Sequence, residues 1–195
     1  IGAIILNDIF TLGILALLII LCVLYCSFKS WRSVLMPILT VGIAIDWTLG
    51  VMGMLGFAVT MVTNVTPVIL LATGSAYAIH VINKIQEEIA SNQASFKEIL
   101  VKSMAYVSVP VFFAALTTII GFISFIFGSY LVMISQFGFF TALGVFFSFL
   151  LSITFIPAFI SYFPFNIKNT HDVSTSNNGP LNKFLKQINF VNAQR

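Results

Sequence analysis

One ionisable side chain lies inside a long apolar stretch of this sequence, and a polar pair follows in the next stretch. Asp46 is the only formal charge within residues 34–55. A carboxyl inside a membrane helix costs at least about 2.5–3.5 kcal/mol on insertion scales. Asp46 is therefore either a proton or cation site or a neutral carboxyl that is hydrogen-bonded to a neighbour, such as Thr48 or a tyrosine. Both interpretations stay open at this point.

Tyr77 and His80 lie three residues apart, so a helix places them on one face. Histidine titrates near neutral pH, and a tyrosine hydroxyl can bridge it to a partner, which would make the pair members of a proton relay. The alternative is a packed tyrosine beside an interfacial histidine, because His80 is only four residues from Lys84.

The sequence holds no arrangement typical of an enzyme. There is no Ser/His/Asp, paired-carboxylate, Cys/His or phosphate-loop pattern, and Cys22 and Cys26 are four apart in an apolar run that suits packing thiols. We therefore expect no enzymatic activity, no metal site, no cofactor and no nucleic-acid partner.

The composition indicates that this chain lies in a lipid bilayer. Of its 195 residues 59% are hydrophobic and only 8% are charged, whereas soluble domains carry about 25% charged residues. The 21 phenylalanines suit helix surface that faces lipid. An all-α, polytopic membrane protein is the predicted fold class, because helices satisfy their own backbone in lipid.

Five apolar stretches are long enough to span a bilayer. They cover about residues 9–28, 34–55, 59–82, 107–127 and 137–163. The third, with its small and polar residues, is predicted to be central to the bundle. Ser95 and Glu98 fit a capping box, which predicts a surface helix over 95–105. Residues 164–195 are predicted to be a cytoplasmic linker with a short amphipathic helix.

The positive charges predict an orientation. All nine Lys and Arg fall in 29–32, 84–102 and 168–195, and the other two turns carry none. By the positive-inside rule the N-terminus lies outside and the C-terminus in the cytoplasm.

Small residues mark predicted helix contacts. Glycine lets helices approach closely and sometimes serves as a hinge. The candidates for packing or hinge positions are Gly50, Gly53, Gly74, Gly121 and Gly144.

Several stretches resemble the resistance–nodulation–division (RND) exporters, and most closely their MMPL-type, or hydrophobe-exporter, branch. These stretches are 47–56 (WTLGVMGMLG), 74–80 (GSAYAIH) with Asn83 and Glu87-Glu88, 115–122 (ALTTIIGF), Gln136-Phe-Gly with Thr141–Gly144, and Ile156-Pro157. The same five-helix block is shared with sterol-sensing domains.

The resemblance implies a larger protein with two similar halves. Residues 1–8 would then be the exit from an extracytoplasmic porter domain, and the five spans would be the second to sixth helices of one half. One departure stands out, because Ala76 precedes Tyr77 where many family members carry the acidic relay residue. The other half would supply the relay, or Asp46 would replace it.

The function implied is an ion-gradient-driven exporter, with protons as the ion, that moves hydrophobic or lipid-like substrates across a bacterial or archaeal inner membrane. The relay candidates are Asp46, Tyr77, His80, Thr117 and Thr118. Expected partners are the bilayer, the second half with its porter domains, the hydrophobic substrate and further copies of the chain. The alternative is a sterol-sensing-like lipid-binding or regulatory module, and a third hypothesis is a structural scaffold.

Overall fold

The computed structural model describes residues 2–28, 31–91 and 95–162, and every regular element in these ranges is helical. The helices are α1 (Gly2–Phe28), α2 (Trp31–Met54), α3 (Thr66–Ser91), α4 (Phe96–Gly128) and α5 (Val132–Tyr162), with a 3-10 turn at Thr63–Val65 before α3. The all-α prediction is confirmed. The predicted linker and amphipathic helix at 164–195 lie outside the described residues.

The helices have the length and composition of membrane spans. Four apolar helical stretches reach or exceed the roughly 20 residues that a hydrocarbon core requires. They are Val34–Met54, Thr63–Ile89, Phe96–Gly128 and Val132–Tyr162. The remaining helix, α1, has 27 residues and contains the shorter apolar stretch Gly13–Cys26. The chain is therefore a multi-pass membrane protein.

One helix, α4, replaces two predicted elements. The surface helix predicted at 95–105 and the span predicted at 107–127 form a single helix of 33 residues. Its buried residues are Ile99, Ser103, Val107, Val111 and Ala115. They repeat every four residues, so one continuous stripe packs on the bundle and nothing interrupts the helix between the two predicted elements. Ser95 stands at the N-cap, but its side chain makes no capping hydrogen bond.

The third helix begins later than the predicted residue 59. Gly56 has a φ of +74°, a conformation that favours glycine, and it ends the turn after α2. Thr60 and Thr63 then bond each other, with the Thr60 amide donating to Thr63 Oγ1 at 2.7 Å. Pro67 falls in the first turn of α3, where its missing N–H leaves no helical hydrogen bond unmade. Because of these local features, α3 begins only at Thr66.

Helix α3 occupies the centre of the bundle, as predicted. It packs against α1, α2, α4 and α5. A hydroxyl pair at 3.0 Å, Thr66 Oγ1 with Thr141 Oγ1, joins its first residue to α5 in the buried interior. The buried side chains of α3 are therefore positioned by several neighbouring helices.

Candidate functional site

A cleft of about 470 Å3 lies between α3 and α4. The α3 residues that line it recur every three or four positions, so they lie on one face of that helix. The lining residues are Ala76, Tyr77, His80, Asn83, Lys84 and Glu87 from α3, with Tyr106, Val107, Pro110, Val111 and Ala114 from α4. Charged residues gather at one end of the cleft, and the other end is mostly apolar.

Tyr77 and Thr118 connect the two helices at the apolar end. Tyr77 is 5% exposed, and its hydroxyl donates to Thr118 Oγ1 over a long 3.4 Å. The Thr118 hydroxyl donates in turn to the Ala114 carbonyl at 2.9 Å. The result is a chain of two hydroxyls that crosses from α3 to α4 and ends on backbone.

Thr117 is not part of this chain of hydrogen bonds between α3 and α4. It is exposed, and its hydroxyl donates to the same Ala114 carbonyl at 2.9 Å. Both threonines thus bond their own helix, as hydroxyls in membrane helices commonly do. Only Thr118 also meets the central helix.

His80 stands one turn beyond Tyr77 on the same face and is exposed to the cleft. Lys84 lies one further turn along α3, at i+4 from His80. The cleft therefore brings an imidazole and an ammonium group to one face of α3.

The charged end of the cleft is an ion-pair cluster that fastens α3 to α4. Lys84 Nζ lies 3.1 Å from Glu87 Oε2 and 3.6 Å from Glu88 Oε1. Lys102 Nζ of α4 lies 3.1 Å from Glu88 Oε2. Lys84 also stands over the Tyr106 ring, 5.7 Å from its centroid, in a cation–π contact.

The residues of this ion-pair cluster were not among the site candidates from the sequence. The sequence signal was present within α3, because Lys84 and Glu88 are four residues apart. The contributions of Lys102 and Tyr106 were not predictable, because they depend on how α4 packs.

Ala76 lines the cleft at the position where the resemblance leads us to expect an acid. Of the cleft's lining residues, the one carboxylate is Glu87, eleven residues further along α3 and hence about 16 Å away along the axis. The part of the cleft that Ala76, Tyr77 and His80 line therefore holds a histidine and a tyrosine and no acid.

Asp46 lies elsewhere, exposed on α2, and does not line the cleft. No described residue forms a hydrogen bond or ion pair with it. The suggested neighbour Thr48 is buried and donates to the Ala44 carbonyl at 2.7 Å instead. The structure thus groups Tyr77, His80 and Thr118 and leaves Asp46 apart.

The five glycine candidates fall into two groups. A Cβ at Gly74 would stand 2.8 Å from Val41 Cγ2, and one at Gly144 would stand 2.5 Å from Leu70 Cδ1, so helices meet closely there. At Gly50, Gly53 and Gly121 a Cβ would meet nothing within 4 Å in the part of the chain that is described.

An equally tight approach, here against backbone, occurs at Gly138. A Cβ there would stand 2.5 Å from the Phe122 carbonyl oxygen and 2.9 Å from Phe125 Cβ. This glycine therefore sets the distance between α4 and α5. Its sequence signal was the Gln136-Phe-Gly motif.

Long apolar helices that meet closely at Gly74, Gly138 and Gly144 define a multi-pass α-helical membrane protein. The sequence profile of the MMPL family matches residues 3–177 of this chain. The chain therefore belongs to the MMPL family, and the resemblance found in the motifs is confirmed.

A relative in Methanocaldococcus jannaschii is named "Putative membrane protein MJ1562". It is 32% identical over 150 residues, which are 77% of this chain. The match covers 37% of the relative, so the chain corresponds to little more than a third of that protein's length.

Proposed function

We propose that this chain is the membrane block of an RND-type exporter that uses an ion gradient, with protons as the ion, to move hydrophobic or lipid-like substrates out of the cell. Membership of the MMPL family supports the transporter class. The observation that carries the coupling is the position of His80 in the α3–α4 cleft, one turn from the Tyr77–Thr118 pair. The setting proposed is an inner membrane, with the N-terminus outside.

A proton on His80 would change the balance of charges in the cleft. The imidazolium would repel Lys84 at i+4 and weaken the hold of that ammonium on Glu87 and Glu88. Because Glu88 also binds Lys102 of α4, the weaker pairing with Lys84 would alter the contact between α3 and α4. A proton can shift a two-state arrangement only through such a difference in interaction energy.

The remaining parts of the cycle belong to the longer protein. We propose that extracytoplasmic domains and a second membrane block complete the exporter, and that the chain has no enzymatic activity. Tyr77 and Thr118 hold the two walls of the cleft in register in this scheme.

The test is transport by the full-length protein in liposomes with an imposed pH gradient. Export of a fluorescently labelled phospholipid and acidification of an entrapped pH dye are recorded together. We expect His80→Gln, which keeps hydrogen bonding but cannot titrate, to lose gradient-driven export while wild-type folding is retained. Ser124→Ala is the control, because Ser124 is exposed on α4 outside the cleft and bonds only the Gly121 carbonyl.

Asp46→Asn distinguishes the two candidate protonation sites. Full export in His80→Gln with loss in Asp46→Asn would move the coupling to α2 and contradict the role given to the cleft. Loss in His80→Gln with export retained in Asp46→Asn would support it.

A lipid-binding module without transport is the second candidate, and the cleft itself favours it. Its volume of about 470 Å3 is within the range of small-ligand sites, and Val107, Pro110, Val111 and Ala114 give it an apolar wall. Binding of the labelled phospholipid with no gradient-dependent export in the wild type would favour this function over the exporter.

A further inference from the structure

The α3–α4 cleft has a charged end and an apolar end, like the molecules that make up a bilayer. Lys84 and Glu87 line its charged end, and the ring of Tyr106 lies beside Lys84. The α4 wall that continues from Tyr106 is apolar and consists of Val107, Pro110, Val111 and Ala114. A ligand that fills the whole cleft must therefore carry a charged head and an apolar tail.

The charges of the ion-pair cluster sum to zero. The cluster contains two lysines, Lys84 and Lys102, and two carboxylates, Glu87 and Glu88. Of these four, Lys84 and Glu87 line the cleft, one charge of each sign. An anionic headgroup would be repelled by Glu87 and a cationic one by Lys84, whereas a zwitterionic headgroup meets an opposite charge at both of its ends. Charge complementarity therefore favours a zwitterion.

Glu87 is available to a ligand, and Glu88 is not. The side chain of Glu87 is 68% exposed, and its partner Lys84 lies three residues away on the same helix. Exposed pairs of this kind contribute little to stability, so a ligand can rearrange one at small cost. The side chain of Glu88 is 10% exposed and is held by lysines of both helices. Glu87 is therefore the carboxylate that a bound ammonium group can reach.

Donors for the anionic part of a zwitterion lie on the same face of α3. Asn83 and His80 both line the cleft and are exposed. Asn83 is four residues from Glu87, or about 6 Å along the helix axis. The Asn83 amide, the Lys84 ammonium group and an imidazole N–H all donate hydrogen bonds to phosphate oxygens. One helix face thus presents donors for a phosphate next to an acceptor for an ammonium group.

The apolar wall indicates a lipid as the source of the zwitterion. A water-soluble headgroup would leave Val111 and Ala114 without an apolar contact, although they line the same cleft. The cleft measures about 470 Å3, which holds a headgroup and the first part of one hydrocarbon chain but not a whole two-chain phospholipid. Its α4 wall is exposed at Pro110 and Ala114, so the rest of such a lipid can lie outside the cleft.

We propose that the α3–α4 cleft binds a phospholipid with a phosphoethanolamine headgroup, whose ammonium group donates to Glu87 and whose phosphate accepts from Lys84 and Asn83. A primary ammonium group is favoured over a quaternary one, because only the former donates hydrogen bonds to a carboxylate. The inference rests on the proposed function for the lipid-like class of the ligand, and it adds the headgroup that the cleft selects.

The experiment measures lipid binding to the full-length protein in detergent micelles, without a pH gradient. Delipidated protein is titrated with phosphatidylethanolamine, phosphatidylcholine and phosphatidylglycerol of identical chains, and native mass spectrometry counts the bound molecules. We expect phosphatidylethanolamine to bind about tenfold more tightly than either of the others, the effect of one additional charged hydrogen bond. Water-soluble glycerophosphoethanolamine at equal concentration should leave this binding unchanged, since it lacks the hydrocarbon chains.

A change of charge tests the recognition. Glu87→Gln leaves Lys84 as the one permanently charged side chain among the described residues that line the cleft. We therefore expect the preference to pass from phosphatidylethanolamine to the anionic phosphatidylglycerol. Glu98→Gln is the matched control, because Glu98 is exposed on α4 and does not line the cleft.

A bulky side chain tests the location. Ala114→Trp fills the apolar wall and should abolish the selective binding. Val109→Trp, at an exposed position of α4 outside the cleft, should retain it. The size-exclusion profile and the thermal unfolding midpoint show whether each variant is folded, and Glu87→Gln tests the site even if Ala114→Trp is not.

Any of four results would overturn the proposal. They are equal affinity for the three lipids, an unchanged order of preference in Glu87→Gln, unchanged binding in a folded Ala114→Trp variant, and competition by glycerophosphoethanolamine as strong as by the lipid. The last would identify a water-soluble zwitterion as the ligand. Each can occur while gradient-driven export through His80 persists, and the proposed function would then stand. Selective binding without export in the wild type would retain the site and contradict the exporter.

Discussion

At the scale of single residues, the chemistry of this protein depends on which polar side chains share a neighbour. His80 and Tyr77 line one cleft, Tyr77 donates to Thr118 of α4, and Asp46 lies on a different helix. Intramembrane polar groups are expensive, so each of them is expected to have a partner or a function.

Glu88 is predicted to be the main electrostatic connection between α3 and α4. It is buried and forms ion pairs with both Lys84 and Lys102, so Glu88→Gln should loosen the junction. We expect faster amide hydrogen exchange in the last turns of α3 and the first turns of α4. The wild type should also lose protection at this junction as salt is raised, and the variant should respond less.

Glu87→Gln provides the matched control for that measurement. Glu87 is exposed and pairs with Lys84 on its own helix, an i,i+3 contact that does not cross to α4. Equal exchange rates in Glu88→Gln and the wild type would show that the junction is held by packing alone.

At the scale of helices, glycine positions decide how closely α5 meets its neighbours. Gly138 faces the backbone of α4 at Phe122, whereas Gly121 faces open space. A backbone carbonyl cannot move aside as a side chain can, so the same substitution has opposite consequences at the two positions.

Gly138→Ala is predicted to reduce the free energy of unfolding by about 1–3 kcal/mol, the usual cost of overpacking. Gly121→Ala should be neutral or stabilise by up to about 1 kcal/mol, because alanine favours a helix and nothing obstructs its methyl group. Reversible unfolding in mixed micelles measures both. Equal losses in the two variants would contradict the packing seen between α4 and α5.

At the scale of the whole molecule, the distribution of Lys and Arg predicts an orientation that labelling can test. In a chain lacking Cys22 and Cys26, we expect Tyr130→Cys, in the exposed α4–α5 turn, to react with an impermeant maleimide on intact spheroplasts. Lys97→Cys, at the start of α4, should react only after permeabilisation. The reverse pattern would invert the topology and place the charge cluster outside.

The sequence by itself determined that the chain lies in a lipid bilayer, how many long helices it has and to which family it belongs. These follow from apolar length and motif order, because a chain in lipid must satisfy its backbone within each helix. It also identified Tyr77 and His80 as one face of a central helix. Periodicity shows which residues share a face of a helix, but it does not show which helix covers that face.

Only the tertiary structure decided which residues of different helices contact each other. It united residues 95–105 and 107–127 in one helix, brought Thr118 to Tyr77 and Lys102 to Glu88, and separated the close glycines from the open ones. It also left Asp46 on an uncovered face. Each of these outcomes depends on the rotation and spacing of packed helices, which are set by contacts far apart in the chain.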